Sequence, residues 1–267
     1  MLKDKFLQAY RMVSSQDGTL FIYAFSYGLI IAIAPFLIIA VLIASNLLID
    51  VDAMVQFLSL YLPGELIVPF INYVYEFAPS DIVLIVSLAS ASFWVASRSI
   101  YSFLLETSRI DNIHVPKMVL RIVGVLYFVF FIVVIVVVVL LLRYLPPYNY
   151  LTIPLLMWVM MMGFYRLISF KMTRFSDVYM GAALTTAGLI GLGRLFFTYI
   201  NDFTNYQNIY GPLSSLMIML ISVYFISYIL YFGYCINEAL YDGSDREGEL
   251  EQTWIYRLSQ VDFKKRK

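Results

Sequence analysis

The stretch from Val119 to Leu142 limits what this chain can fold into, because Arg121 is its single charged residue. It is long enough to cross a bilayer, since a hydrocarbon layer of about 30 Å takes about 20 helical residues. Its many valines and isoleucines would favour a β-strand in water. In lipid, however, a single segment has to satisfy its own backbone hydrogen bonds, so the stretch is predicted to be a transmembrane helix.

The composition indicates that the rest of the chain also lies in a membrane. Of the 267 residues, 61% are hydrophobic and 13% are charged, and this charged share is half of the ~25% in soluble proteins. A disordered chain is excluded, and the single cysteine, Cys235, excludes a disulfide scaffold. The net charge is zero, so no basic field attracts nucleic acid. We expect an all-α polytopic protein whose partners are membrane lipids and not nucleic acid.

The apolar stretches predict six spans in one domain. This transmembrane domain covers residues 1–240, and a polar cytoplasmic tail covers residues 241–267. The predicted spans lie near residues 20–48, 81–105, 119–145, 151–170, 176–200 and 210–236.

The positions of lysine and arginine predict the orientation. Fifteen of the 18 fall in the N-terminal segment, near the inner ends of spans two to four and in the tail, whereas only Arg143 falls in an opposite loop. We therefore expect a cell-membrane protein with both termini in the cytoplasm, which an even number of spans also requires.

Two segments outside the spans are apolar without being long enough to cross. Residues 2–13 carry apolar side chains on one helical stripe among basic ones, which suits either a helix on the inner leaflet or a solvated lead-in. Residues 50–80 are interrupted at Pro63-Gly64 and are predicted to form two short helices at the outer leaflet.

Two arginines within the predicted spans are candidates for function, because a charge at the helix centre costs about 2.5–3.5 kcal/mol on the insertion scale. Arg194 lies about 9 Å from the outer end of its span by helical rise, where it either snorkels outward or attracts an anion. Arg98 shares one face of span two with Ser87, Ser90 and Trp94. This face lines either a polar pathway or a tightly packed contact, and Glu238 is one candidate partner for Arg98.

Other candidates are proline and aromatic residues. Pro35 lies two turns after Tyr27 and bends span one near mid-membrane. This bend either sets the shape of the helix or exposes a backbone carbonyl to a pathway. Tyr199 and the Tyr210-Gly211 pair connect spans five and six. They belong either to the outer aromatic belt or to an outer gate.

The sequence contains no pattern typical of a catalytic site. It has one histidine, His114, and one cysteine, and a metal-dependent ribonuclease needs clustered His, Asp or Glu ligands. We therefore expect no metal, no cofactor and no enzyme activity, and in particular no ribonuclease.

Several of these positions together resemble the YihY/virulence factor BrkB family, once called ribonuclease-BN-like. The segment from Phe196 to Gly211 is similar to its F-x-x-Y…F-x-x-Y-x-x-x-Y-G signature. In the usual Gly-x-Glu-x-Asn ending of span six, Cys235 replaces the glutamate. The further matching positions are Tyr27, Pro35, Trp94, Arg98, Tyr165, Arg166, Gly181, Gly233 and Asn237.

The resemblance implies an integral cytoplasmic-membrane protein, and transport is often suggested for its members. Together with the two arginines, it favours the movement of a lipid, a lipid-linked molecule or a small anionic solute. The alternative is a membrane scaffold that binds partner proteins. No oligomeric state is indicated.

The predicted orientation can be tested by single-cysteine labelling in a Cys235→Ala background. A membrane-impermeant thiol reagent added outside intact cells should label Glu65→Cys and leave Leu250→Cys unlabelled, because residues 50–80 are predicted outside and the tail inside. Labelling of Leu250→Cys with protection of Glu65→Cys would contradict the orientation.

Overall fold

A computed structural model of the protein describes residues 2–46, 82–111, 113, 115–142, 152–172, 174–203 and 214–241. These ranges contain helices and no strand, which confirms the all-α prediction for this part of the chain. The helices are α1 (Leu2–Val13), α2 (Gln16–Asn46), α3 (Ile82–Ala96), α4 (Arg98–Ile110), α5 (Lys117–Leu142), α6 (Thr152–Ile168), α7 (Phe175–Phe203) and α8 (Ser214–Leu240).

Four of the described helices are long and apolar enough to cross a membrane. The qualifying windows are Gln16–Ile33, Lys117–Ile135, Phe175–Leu195 and Met217–Leu240. They coincide with predicted spans one, three, five and six. The chain is therefore a multi-pass membrane protein by the length and hydropathy of its helices.

The two other predicted spans differ in form. Span four corresponds to the shorter helix α6, of 17 residues. Span two corresponds to α3 and α4, which meet at Ser97, where the backbone stays right-handed (φ −61°, ψ −12°). The Ser97 hydroxyl donates to the carbonyl of Trp94 at 2.8 Å, which competes with the regular helical bonding there. The number of six spans and the side of the termini stay predictions, and residues 50–80, the Tyr210-Gly211 pair and most of the tail lie outside the described residues.

The N-terminal segment is a helix that packs on α8. Ala9 and Val13 are buried, and the Phe6 ring meets Phe232 edge-on at 5.5 Å. Leu7 and Tyr10 stay about half exposed. Its position on the inner leaflet remains a prediction.

Aromatic rings from α2, α4 and α8 form the centre of the core. Phe103 of α4 is fully buried. Its ring contacts Phe21 and Phe25 of α2 at centroid distances of 5.1 and 5.3 Å, and Tyr234 of α8 at 5.7 Å. These edge-to-face contacts are the geometry that aromatic quadrupoles favour.

Helices α7 and α8 cross at two glycines. A Cβ atom on Gly181 would overlap the carbonyl oxygen of Gly233, and a Cβ on Gly233 would overlap the hydroxyls of Thr185 and Tyr165. Small residues permit this backbone approach, which stabilises helix pairs in lipid through packing. Asn237 adds a polar contact, since its Oδ1 accepts a hydrogen bond of 2.6 Å from the Gly181 N–H.

Glycines also permit close contact of α4 with α2 and with α5. A Cβ on Gly28 of α2 would lie 2.8 Å from the Cβ of Ser99 on α4. A Cβ on Gly124 of α5 would lie 3.1 Å from the backbone of Tyr101, also on α4. Helix α4 thus packs closely against both α2 and α5 at positions where the partner helix carries a glycine.

We predict that Gly181→Ala destabilises the protein by about 1–3 kcal/mol, because the new methyl group meets a backbone carbonyl that cannot turn away. Gly191→Ala is the matched control on the same helix, since its Cβ would meet nothing within 4 Å. The control should leave stability unchanged or raise it by up to about 1 kcal/mol through helix propensity. Unfolding in detergent measures both, and equal effects would contradict the crossing.

Candidate functional site

A large apolar cavity of about 1340 Å³ lies between α5 and α6. It exceeds the ~300–1,000 Å³ of ordinary small-molecule pockets. Helices α2, α4 and α8, the α6–α7 connection and the start of α7 contribute the remaining wall, and the cavity is partly open to the exterior. The side chains that line its two main walls include Phe128, Phe131, Ile135, Val138, Leu156, Val159, Met160 and Phe164.

The cavity exists because its two main walls belong to different helix pairs. Helix α5 packs on α4, and α6 packs on α7. Within the described ranges α5 and α6 make little close backbone contact with each other. Their rings meet where Phe131 approaches Phe164 at a centroid distance of 5.3 Å, which narrows the space between the walls.

Two arginines line one end of the cavity, Arg166 and Arg174. Arg166 lies in the last turn of α6, where a cation interacts favourably with the helix dipole. Its guanidinium carbon lies 4.3 Å from the centre of the Phe175 ring, a cation–π distance. Among the described residues that line this cavity, none is acidic. The site is therefore an apolar space with a cationic end.

Arg174 is positioned by the start of α7. Its backbone N–H donates to Oδ2 of Asp177 at 3.2 Å. A carboxylate three residues into a helix commonly accepts such a bond, and it also suits the positive end of the helix dipole. This bond places Arg174 directly before the first turn of α7.

The connection between α6 and α7 is tied to the end of α4. The Thr107 hydroxyl donates to the carbonyl of Ile168 at 3.2 Å. The Phe170 N–H donates to Oδ2 of Asp111 at 3.3 Å, and Lys171 lies 3.6 Å from the other carboxyl oxygen of Asp111. These contacts hold the end of α6 and the start of the connection, which lie between the two cavity arginines in the chain.

The carboxyl group of Asp111 has an altered proton affinity. Its pKa is raised to about 7, chiefly by burial and then by the negative charge of Glu238. Lys171 and the hydrogen bond from Phe170 act in the opposite direction, because they stabilise the charged form.

The structure places the predicted face of span two outside the large cavity. Ser87, Ser90, Trp94 and Arg98 are all exposed, with Trp94 58% exposed. Trp94 and Arg98 line a separate, smaller pocket of about 290 Å³. Their role in a pathway therefore stays a prediction.

The other predicted residues are not placed at the large cavity by any described side chain. Arg194 on α7 and Tyr27 on α2 are exposed, and neither lines the large cavity. Pro35 and Tyr199 lie within α2 and α7, although their side chains are outside the described part.

The two predicted residues at the end of span six lie inside the protein. Asn237 is fully buried at the α7–α8 crossing. Glu238 lies in the last turn of α8 and has a buried carboxyl oxygen with no hydrogen-bond partner among the described residues. Glu238 interacts electrostatically with Asp111 and Lys171, and neither Asn237 nor Glu238 is among the residues that line the cavity.

Sequence reasoning assigned no binding role to Arg166, Arg174 or Arg121. From the sequence, all three contribute to the predicted orientation of the chain, because basic residues near inner span ends are expected in any membrane protein. The Tyr165-Arg166 pair in the family pattern was the one signal that marked Arg166. Nothing in a single sequence shows that α5 and α6 leave a cavity between them next to Arg166.

No group of three or more His, Cys, Asp or Glu side chains in the described ranges is placed to hold a metal ion. His114 lies outside those ranges, and Cys235 is buried and free. The expected absence of a metal or cofactor stays a prediction.

Comparison with known proteins gives one match. The sequence model described as Virulence factor BrkB matches residues 9–253, nearly the whole chain. No curated protein matches significantly, and no solved structure does.

We predict that Asp111→Asn reduces the pH dependence of stability. The folded protein holds this proton more tightly than the unfolded chain, whose aspartates have a pKa of about 3.9. The stabilising contribution is therefore complete below about pH 4 and is lost as the pH rises through about 7. The melting temperature in detergent should fall less steeply toward high pH for Asp111→Asn than for the unchanged protein.

The control for this experiment is Asp4→Asn, which removes an exposed carboxylate on α1. It should leave the slope of melting temperature against pH as it is. An unchanged slope for Asp111→Asn would contradict the raised pKa.

Proposed function

Because the chain belongs to the Virulence factor BrkB family and has several helices long enough to cross a bilayer, we propose that it moves an anionic lipid or lipid-linked molecule across the cell membrane. The observation that carries the proposal is the apolar cavity of about 1340 Å³ with Arg166 and Arg174 at one end. The apolar walls correspond to the hydrocarbon chains of such a molecule, and the end with the two arginines corresponds to its anionic headgroup.

The apolar walls suit hydrocarbon chains. Their side chains are almost entirely aliphatic and aromatic, and methionines contribute from α6. Methionine is flexible and fills irregular space, so this wall adapts to chains of different shape. A small inorganic anion would gain nothing from these walls, which favours a lipid over a solute.

The cationic end suits a phosphate or carboxylate headgroup. A guanidinium presents its N–H donors in a planar fork that matches such groups. Stacking on Phe175 uses one face of the Arg166 guanidinium and leaves donors at its edge for the ligand. In the proposed orientation, with both termini in the cytoplasm, these arginines lie at the inner leaflet and select the headgroup there.

The contact between Phe131 and Phe164 is the proposed narrow point within the cavity. Movement of a chain past it requires these rings to separate, which the sparse contact between α5 and α6 permits. Arg98 and Arg194 remain the alternative charged elements of the pathway. The proposal includes no chemical step, no cofactor, no metal and no nucleic acid.

We predict that Gly163→Leu slows lipid transfer. Gly163 lines the cavity, and a Cβ atom there would meet nothing within 4 Å, so a larger side chain has open space at its base and reduces the cavity volume. Transfer is measured in proteoliposomes as the loss of protected fluorescence of a head-labelled phosphatidylglycerol after dithionite is added outside. Gly191→Leu, which also points into open space but does not line the cavity, should transfer lipid at the unchanged rate.

We further predict that Arg166→Gln and Arg174→Gln each slow transfer about tenfold, since a hydrogen bond to a charged group contributes about 1.5–3 kcal/mol. Lysine at either position should give an intermediate rate, because it keeps the positive charge but lacks the planar fork of N–H donors that a guanidinium presents. Lys117→Gln is the charge-matched control, exposed and outside the cavity. If Arg194→Gln stops transfer while both cavity arginines tolerate glutamine, the pathway is not this cavity.

A further inference from the structure

A second pocket, of about 290 Å³, lies where α3, α4 and α5 meet. Its lining residues are Trp94, Val95, Arg98, Tyr101 and Arg121. Two of these five are arginines and two are large aromatic residues, and none is acidic.

The pocket is on the other side of α4 from the large cavity. Ser99 and Ile100 of this helix line the cavity, whereas Arg98 and Tyr101 line the pocket. The close approach of Gly124 to the Tyr101 backbone fixes α5 against α4 at this level. The two spaces are therefore separate, and the walls of the pocket are held by the backbone.

Arg121 is held in place by the pocket's own residues. Its guanidinium carbon lies 4.4 Å from the centre of the Trp94 ring and 5.9 Å from that of Tyr101. Its Nη2 donates to the carbonyl of Trp94 at 2.6 Å. Its Nη1 is buried and has no hydrogen-bond partner among the described residues.

The arrangement brings two positive charges together and leaves donors available. Arg98 adds a second guanidinium to the same small space, and like charges at close range repel. A buried donor without a partner also costs free energy. An oxyanion in the pocket would remove both costs, because it attracts both charges and accepts from the donors of both arginines.

We propose that this pocket binds a phosphate group, either the headgroup of an anionic membrane lipid or a free phosphate ion. Paired guanidiniums provide the bidentate geometry that phosphate oxygens accept. Trp94 is 58% exposed beside these charges, and tryptophan is typical of the headgroup level of a membrane. The site does not rest on the proposed function, since it shares no residue with the large cavity.

The test measures binding to full-length protein that carries Arg166→Gln and Arg174→Gln, so that the large cavity contributes no guanidinium. Native mass spectrometry of protein in mixed micelles compares phosphatidic acid with diacylglycerol of the same acyl chains, because these lipids differ only in the phosphate group. Phosphatidic acid should be retained more than diacylglycerol. Inorganic phosphate, added at constant ionic strength, is the second probe.

Single substitutions in this background locate the site. Arg121→Gln and Arg98→Gln should each weaken retention of phosphatidic acid about tenfold, the loss expected for a hydrogen bond to a charged group. Arg121→Lys should be intermediate, because it keeps the charge while losing the fork and the stacking on Trp94. Lys117→Gln removes one charge a turn earlier on α5, outside the pocket, and should change retention less than about twofold.

Competition by inorganic phosphate would support the site with a soluble ligand. Retention of phosphatidic acid without such competition would support it with a lipid headgroup. Equal retention of the two lipids together with no binding of inorganic phosphate would overturn the proposal. It would also be overturned if Lys117→Gln weakened binding as much as Arg121→Gln, since that result indicates general attraction to basic residues. Melting temperatures confirm that each variant compared is folded.

Discussion

The hydroxyl group of Tyr165 joins three membrane helices, and much of the described structure depends on it. It donates to the carbonyl of Leu230 on α8 at 2.8 Å and shares a hydrogen bond of 2.5 Å with Thr185 on α7. Tyr165 itself is on α6 and fully buried. Lipid tails are as apolar as the helix surfaces, so burial of hydrocarbon does not drive helices together in a bilayer. Polar contacts of this kind and the close approach of Gly181 to Gly233 supply the specificity instead.

The cavity follows from how these contacts are distributed. Helices α6, α7 and α8 are held together at Tyr165 and at the glycine crossing, while α5 is held to α4 at Gly124 and Tyr101. Nothing comparable joins α5 to α6 in the described ranges except aromatic contact. The segment at the cationic end is, by contrast, anchored by Asp111 and Thr107. One end of the cavity is therefore anchored by hydrogen bonds, whereas its two main walls are joined mainly by aromatic contact, a combination that suits the proposed entry of long apolar chains.

Hydropathy predicted much of the architecture and little of the site. Apolar length is a property of each segment alone, so the helices that contain Val119, Gly181 and Gly233 could be placed from the sequence. Contacts between helices depend on how each helix is rotated about its axis and on where the helices cross. Neither can be read from a single sequence. Three glycines close together on α7 show the difference: a Cβ on Gly188 would contact Ile229, whereas a Cβ on Gly191 or Gly193 would meet nothing within 4 Å. The close crossing is at Gly181, seven residues earlier.

Arginine is difficult to interpret from sequence for the same reason. A basic residue at an inner span end satisfies the orientation rule whether or not it binds anything. The structure distinguishes these cases by what lies under the guanidinium. Arg121 is stacked on Trp94 and Arg166 on Phe175, at 4.4 and 4.3 Å, whereas Arg194 is exposed and stacks on no ring among the described side chains. Stacking holds the guanidinium plane and occupies one face, while the N–H donors lie at its edge. The ordering entropy of a long side chain is then lost on folding, before any anion arrives, so that binding an anion costs less. An arginine that only snorkels to the headgroups gains nothing from such a platform, and the stacked pair is therefore where anion binding is expected.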